Sequence, residues 1–205
     1  MKVTIFKDVY EKEAPHHIQL VTALSRIQQG RSKALIHEIR EGNKNKKKKL
    51  PIVCFSGEFS SRRDDALFEH SGYIVLDFDH VEVDAVKQAL AVDDYIYAFW
   101  VSPSGDGIKA LVNITNPERH KDHFRALKTY FSKQYCLEID QSGINESRAC
   151  FESYDPDIII KDDYKKFGAF LSEMAEAQTP SNETYKYTDY MKLNLAARMI
   201  RNAED

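Results

Sequence analysis

Gly72-Tyr73-Ile74-Val75-Leu76-Asp77-Phe78-Asp79-His80 is an apolar run that ends in two carboxylates one residue apart. Tyrosine, isoleucine, valine, leucine and phenylalanine suit the pleated surface of a strand, and Gly72 before the run and residues 80–82 after it bound a short element. Side chains alternate along a strand. Asp77 and Asp79 therefore share one face about 6.5–7 Å apart, at a rise of ~3.3 Å per residue, while Phe78 turns the other way toward a core. Two anions on one face of a buried strand repel each other and lose hydration, and a hard divalent cation with oxygen ligands relieves both costs. A plainer arrangement fits the same residues: the strand stops at Leu76 and both aspartates are solvated loop residues that cap the next helix. The D-x-D spacing alone does not choose between the two.

At 205 residues the chain is long enough to bury a sizeable core and fits one domain with appendages. Its 42% hydrophobic and 30% charged content are those of a soluble globular protein. No apolar run reaches the length of a bilayer span, and residues 1–7 lack the apolar stretch of a signal peptide, so a cytoplasmic location is expected. Cys54, Cys136 and Cys150 are far apart and odd in number, which predicts three reduced, buried thiols and no paired-cysteine metal site. With a net charge of only -3, contact with nucleic acid has to come from local patches.

Outward from 72–80, the pattern predicts an α+β chain. Residues 1–7 alternate as a strand, and 16–29 and 32–40 carry apolar residues at helical spacing. Residues 42–49 read as a charged loop. Its Lys46, Lys47, Lys48 and Lys49 form either a solvated connector or a clamp on a nucleic acid backbone, the second only if the loop lies beside the Asp77/Asp79 face. Residues 50–57 read as a strand and 64–70 as a short helix, with Arg62 and Arg63 before it as surface charges or phosphate contacts. A helix over 83–91, strands over 95–101 and 108–114, and a helix over 116–135 follow. Leu137-Glu138-Ile139 then approaches Asp140, and a strand over 148–157 is headed by Arg148. Strand 158–160, a helix over 162–178, a polar connector from 179 and a helical end complete the chain.

Between the strands at 95–101 and 108–114 lies the small-residue turn Ser102-Pro103-Ser104-Gly105-Asp106-Gly107. Such a turn exposes backbone N–H groups, and with Lys109 directly after it the turn can hold phosphate oxygens. A plain hairpin turn explains the glycines but not a lysine set between Ile108 and Ala110.

Three apolar segments thus end in acidic or phosphate-friendly groups in a fixed order: Asp77-Phe78-Asp79, then Ser104-Gly105-Asp106-Gly107-Ile108-Lys109, then Ile139-Asp140 with Arg148 shortly after. In that order the sequence resembles the archaeo-eukaryotic primase superfamily, whose catalytic core carries hhhDhD, a Ser-x-His-type motif and a final h-D, with h an apolar residue. It is similar most of all to the primase-like domain at the N-terminus of bacterial and phage proteins that end in a virulence-associated-E type helicase. Leu50-Pro51 through Phe55-Ser56-Gly57, Ile74 to Asp79, Ser102 to Lys109, and Asp140 followed by Arg148-Ala149-Cys150-Phe151 carry this closer likeness, which spans roughly residues 1 to 175. Lys109 stands where the superfamily has a histidine, and an ammonium is also a good phosphate-binding point charge. No Cys/His cluster matches the zinc site that many members carry.

The resemblance implies an RRM-like antiparallel or mixed primase-polymerase sheet over 71–160. It further implies an N-terminal α/β module over 1–70, a catalytic domain ending at 178, and a linker and helical extension over 179–205 that leads to a helicase domain. It implies a template-dependent nucleotidyltransferase, a DNA primase or polymerase in which a 3′-hydroxyl attacks the α-phosphate of a nucleoside triphosphate and pyrophosphate leaves. Asp77, Asp79 and Asp140 would hold two Mg²⁺ or Mn²⁺ ions, and Ser104, Gly105, Lys109 and Arg148 would bind the triphosphate. The implied partners are nucleoside triphosphates, a single-stranded or primed DNA template, and a helicase domain or partner. On this reading Asp77→Ala or Asp79→Ala abolishes activity and leaves the fold intact or stabilised, because a repelling pair is relieved. Two other classes fit parts of the pattern. One is a D-x-D phosphohydrolase with Asp77 as nucleophile and Asp79 as acid/base, which residues 1–70 do not fit. The other is a catalytically silent nucleic-acid-binding module that delivers a helicase.

Overall fold

Two antiparallel four-stranded sheets face each other across a shared core in the computed structural model, which describes residues 1–170. In chain order the elements are β1 (Lys2–Phe6), β2 (His16–Gln19), α1 (Leu20–Gln29), α2 (Lys33–Arg40), β3 (Ile52–Cys54), β4 (Gly57–Phe59), β5 (Leu67–His70), β6 (Tyr73–Phe78), α3 (Val83–Ala91), β7 (Ile96–Val101), β8 (Ile108–Asn113), α4 (His120–Tyr135), β9 (Cys150–Phe151) and β10 (Ile159–Ile160). The first sheet has the order β2-β1-β3-β9, the second β10-β7-β8-β6, and β4-β5 form a separate hairpin. The class is α+β.

The strand β6 shows how sequence alternation builds this arrangement. Ile74, Leu76 and Phe78 face one core, where Val86 and Leu90 of α3 and Phe124, Leu127 and Phe131 of α4 cover them. Tyr73 and Val75 face the other core, shared with Val3 and Ile5 of β1, Leu24 and Ile27 of α1, and Trp100 of β7. Each fully buried side chain of this size contributes about 1.5–3 kcal/mol relative to exposure. Asp77 continues the second set, so it lies on the face turned toward the first sheet.

Several expectations change. Residues 16–19 are strand, not helix, because Lys2 to Ile5 pair with Gln19 to His16 in antiparallel register and α1 begins only at Leu20. The expected helix over 64–70 is one 3₁₀ turn, Asp64–Ala66, followed by β5. Gly57 makes this hairpin possible, since a Cβ there would stand 2.1 Å from the Glu69 carbonyl oxygen. The charged loop holds a 3₁₀ helix, Lys44–Lys49. The expected strand over 148–157 shortens to β9, and β9 completes the first sheet by pairing with β3, so the N-terminal module is closed by chain from beyond residue 70. Residues 162–170 are not helical: Phe167 N–H donates to the Asn113 carbonyl at 2.8 Å, and the hydroxyls of Tyr164 and Tyr73 are 2.8 Å apart. The remainder of that helix and all of 179–205 lie outside the described residues. Cys54 and Cys150 are buried thiols as expected, but Cys136 is exposed at the left-handed C-cap of α4. No helix among the described residues is long and apolar enough to cross a membrane.

Glu152, 1% exposed, ties α1 and α2 to the end of β9: Arg26 Nε donates to it at 2.6 Å and the Ser32 hydroxyl donates to its other oxygen. On the far side of the fold His70 accepts the Gly72 N–H through Nδ1 at 2.8 Å, so its Nε2 carries the proton and donates to His120 Nδ1 at 3.0 Å. Burial pushes the two imidazoles down to about 4 and about 3 from an ordinary 6.5. The unfolded chain therefore takes up these two protons as pH falls through 6.5, while the folded chain resists until about pH 4. Their contribution to stability is complete above pH 6.5 and shrinks as pH falls below it. Urea unfolding at pH 7 and pH 5 is expected to show a smaller acid loss for the His70→Gln/His120→Gln variant than for the parent.

Candidate metal centre

Asp77, Asp79 and Asp140 each offer a carboxylate oxygen, and the three oxygens lie within 4.8 Å of one another. β6 places the first two. Asp77 is its penultimate residue, and Asp79 follows Phe78 as the strand ends. Asp140 arrives from a distant segment, after α4, and is docked by its own backbone: its N–H donates to the Asp77 carbonyl at 3.0 Å. Its side chain caps the 3₁₀ turn Gln141–Ile144 by accepting from the Ser142 N–H at 3.0 Å and from the Ser142 hydroxyl.

Two cations stand against this triad. Lys109 lies directly opposite Asp77 in the β6–β8 register, is 5% exposed, and its ammonium contacts Asp77 Oδ2. Arg148 Nη2 is 2.8 Å from Asp140 Oδ2 and 3.9 Å from Asp77 Oδ2. Three carboxylates against two cations leave one formal negative charge. Asp77 Oδ1 is buried with no hydrogen-bond partner among the described residues.

The electrostatics follow from this geometry. Burial and then the charges of Asp77 and Asp140 raise the Asp79 carboxyl above its ordinary range. Burial alone would raise Asp140 as well, but the Ser142 hydroxyl and N–H and the Arg148 guanidinium together hold it below that range. Burial works against the Lys109 ammonium, yet its pKa stands raised by anionic neighbours. The Cys150 thiol beside it is pushed up to about 11 by burial and is neutral at pH 7, so Asp77 is the anion that holds the lysine charged. This pairing also revises the expected effect of Asp77→Ala. The residue is not only half of a repelling pair but the counter-ion of a buried lysine, so its loss costs stability.

The turn from Ser102 to Gly107 closes against the end of β6. A Cβ on Gly107 would meet the Phe78 carbonyl oxygen at 2.6 Å, so glycine is required for this approach. The Gly105 N–H is used within the turn, donating to the Ser102 carbonyl at 3.0 Å, which leaves Ser104 as the half-buried polar side chain there. Sequence reasoning missed Arg40. The last residue of α2, it crosses from the first module, donates through Nη2 to the carbonyls of Ser102 at 3.1 Å and Tyr154 at 3.0 Å, and lies beside Gly105. No periodicity in the sequence signals a tertiary contact of this kind. An open pocket of about 320 Å³ lined by Asp79, Val81, Leu137 and Glu138 adjoins the triad.

The lysine run divides. Lys46 pairs with Glu38 at 3.0 Å, whereas Lys47 lies 5.5 Å from the Phe151 ring centroid and its charge acts on Asp79. Lys48 and Lys49 are exposed. Arg62 is committed to the fold, its Nη2 donating to the Val9 carbonyl at 2.7 Å, and Arg63 pairs with Asp65 at 3.1 Å.

No curated protein and no solved structure matches the chain. A family model does, over residues 45–159, more than half of the sequence, and it is described as BT4734-like, N-terminal domain. All three carboxylates of the triad and both of their cations fall inside that segment. The chain belongs to the BT4734-like, N-terminal domain family.

Proposed function

We propose that this protein is a template-dependent nucleotidyltransferase of the primase/polymerase type, with β6, β7, β8, α3 and α4 as an RRM-like core. One observation carries the reading: carboxylates from two separate segments converge within 4.8 Å, and one of their oxygens is buried with no hydrogen-bond partner among the described residues. Three hard oxygen donors suit Mg²⁺ or Mn²⁺ rather than a softer metal. Asp77, Asp79 and Asp140 would hold the ions, which when bound activate the attacking hydroxyl and neutralise charge on the leaving phosphates. Lys109 and Arg148 set two cations against the same carboxylates, where the charge of a triphosphate would lie. Arg40 braces the turn that carries Ser104. Lys47 beside Asp79 supplies a positive edge for a DNA template, and a helicase domain or partner remains part of the proposal.

The test is template-directed incorporation of labelled ribonucleotides and deoxyribonucleotides in Mn²⁺ and in Mg²⁺, with product expected in at least one combination. No product in any of the four sinks the enzymatic reading. A nucleic-acid-binding module without catalysis is the second reading, favoured by the fact that Lys109 and Arg148 already neutralise two of the carboxylates. Divalent-ion linkage separates the two. An ion bound only to the folded state at a hundred times its Kd adds about 2.7 kcal/mol, which appears as a higher melting temperature in Mn²⁺.

A further inference from the structure

A second concentration of positive charge lies at the α1–α2 junction, apart from the carboxylates. A pocket of about 310 Å³ opens there, with Arg26, Arg31 and Lys49 among its lining residues. Arg26 is fixed in place by buried Glu152. No ion pair among the described residues engages Arg31 or Lys49. Three cations against one carboxylate leave two formal positive charges.

Glu152 also takes the hydroxyl of Ser32, the residue that precedes α2. That hydroxyl therefore does not cap α2, and the first turn of α2 carries no acid. First-turn amides have no acceptor inside their own helix and carry partial positive charge. Two of them belong to Ala34 and Leu35, which line the same pocket. Guanidinium, ammonium and uncapped amides together are the donors that a phosphate group takes.

The place of the pocket says what kind of phosphate. β9 leads from one charged region to the other: Arg148 and Cys150 lie by the triad, and Glu152 anchors Arg26. From residue 148 to residue 152 an extended chain covers about 13 Å at ~3.3 Å per residue. A single nucleic acid strand can bridge that length with a few of its phosphates. Between the two ends lies Lys47, held over the half-buried Phe151 ring, a further cation along the path of a nucleic acid backbone.

We propose that this pocket binds a phosphate of a single nucleic acid strand that runs from the carboxylate triad past Lys47. The direction of the strand rests on the nucleotidyl-transfer reading; the phosphate chemistry does not.

The experiment measures binding of a fluorescein-labelled single-stranded oligonucleotide to the full chain by anisotropy over a salt series. Arg31→Ala/Lys49→Ala is compared with Lys44→Ala/Lys48→Ala, which removes the same charge from exposed lysines that do not line the pocket. The pocket variant is expected to bind about tenfold more weakly at low salt, with a slope of log Kd against log salt smaller by about 1.4, or ~0.7 for each lost phosphate contact. The control is expected to change the slope by less than half as much. All four residues are exposed, so melting temperatures should match the parent. An unchanged slope in the pocket variant, or equal changes in the two variants, overturns the proposal. If the pocket variant keeps its slope but loses a melting-temperature rise that inorganic phosphate gives the parent, the pocket serves a free anion and the strand assignment falls. A pocket-dependent slope in a parent that incorporates no nucleotide leaves this site standing and removes only the polymerase reading.

Discussion

Asp79→Asn is expected to lower template-directed incorporation by about a thousandfold or more, roughly 4 kcal/mol of transition-state stabilisation, without lowering the melting temperature. The two halves of the result have separate causes. Among the triad Asp79 is the most exposed residue, and it has no ion pair among the described residues. Its neighbours Asp77 and Asp140 and its partial burial all work against its ionised form. Replacing it by the isosteric amide removes that repulsion, so the folded state without metal is as stable as the parent or more so. The same exchange removes one anionic oxygen ligand from a site whose remaining formal charge, counting Lys109 and Arg148, becomes zero. A neutral site has little hold on a divalent cation, and the chemistry that depends on the ion goes with it. Primer extension and thermal unfolding on one preparation check both halves. Incorporation at the parent's rate would show that Asp79 holds no essential ion.

The triad shows which parts of the fold a sequence discloses. The common face of Asp77 and Asp79, and Phe78 pointing into the core, follow from strand alternation, which depends only on adjacent residues. Asp140 is different in kind. Its approach is fixed by one backbone hydrogen bond to Asp77 across more than sixty intervening positions, and only the order of motifs suggested it. Lys109 was legible as an oddity, a lysine between apolar neighbours, but its partner was not. The β6–β8 register sets the ammonium on Asp77, and that register is a pairing between strands distant in the chain.

The departures share a cause. Residues 16–19, 57–59 and 67–70 are strands because each finds a partner strand, while their local patterns also suit helix or turn. A two-residue strand such as β9 has too little sequence to show alternation, although it completes the first sheet. Arg40 and Glu152 act through contacts made by folding alone, so nothing near them in the chain could point to their roles.

Lys109→Met is expected to destabilise the metal-free protein by about 3 kcal/mol or more, as removal of one member of a buried ion pair does. At ~2–4 °C per kcal/mol for a chain of this size, the melting temperature falls by about 6–12 °C. Methionine fills most of the space of the lysine stem, so the loss is one of charge rather than of packing. Asp77 is then left with Oδ1 already unpartnered, Oδ2 without its ammonium, and Arg148 3.9 Å away as its nearest remaining cation. Mn²⁺ is expected to recover much of the loss, and to raise the melting temperature of this variant more than that of the parent, because a divalent ion takes over the neutralisation that the ammonium provided. Removing both charges with Asp77→Leu/Lys109→Met should return the metal-free stability toward the parent value and abolish the Mn²⁺ response. Thermal unfolding of the three proteins with and without Mn²⁺ decides the matter independently of any assay of polymerisation. A Lys109→Met protein that Mn²⁺ stabilises no more than the parent would mean that the three carboxylates do not bind the ion, and that Lys109 is their permanent counter-charge.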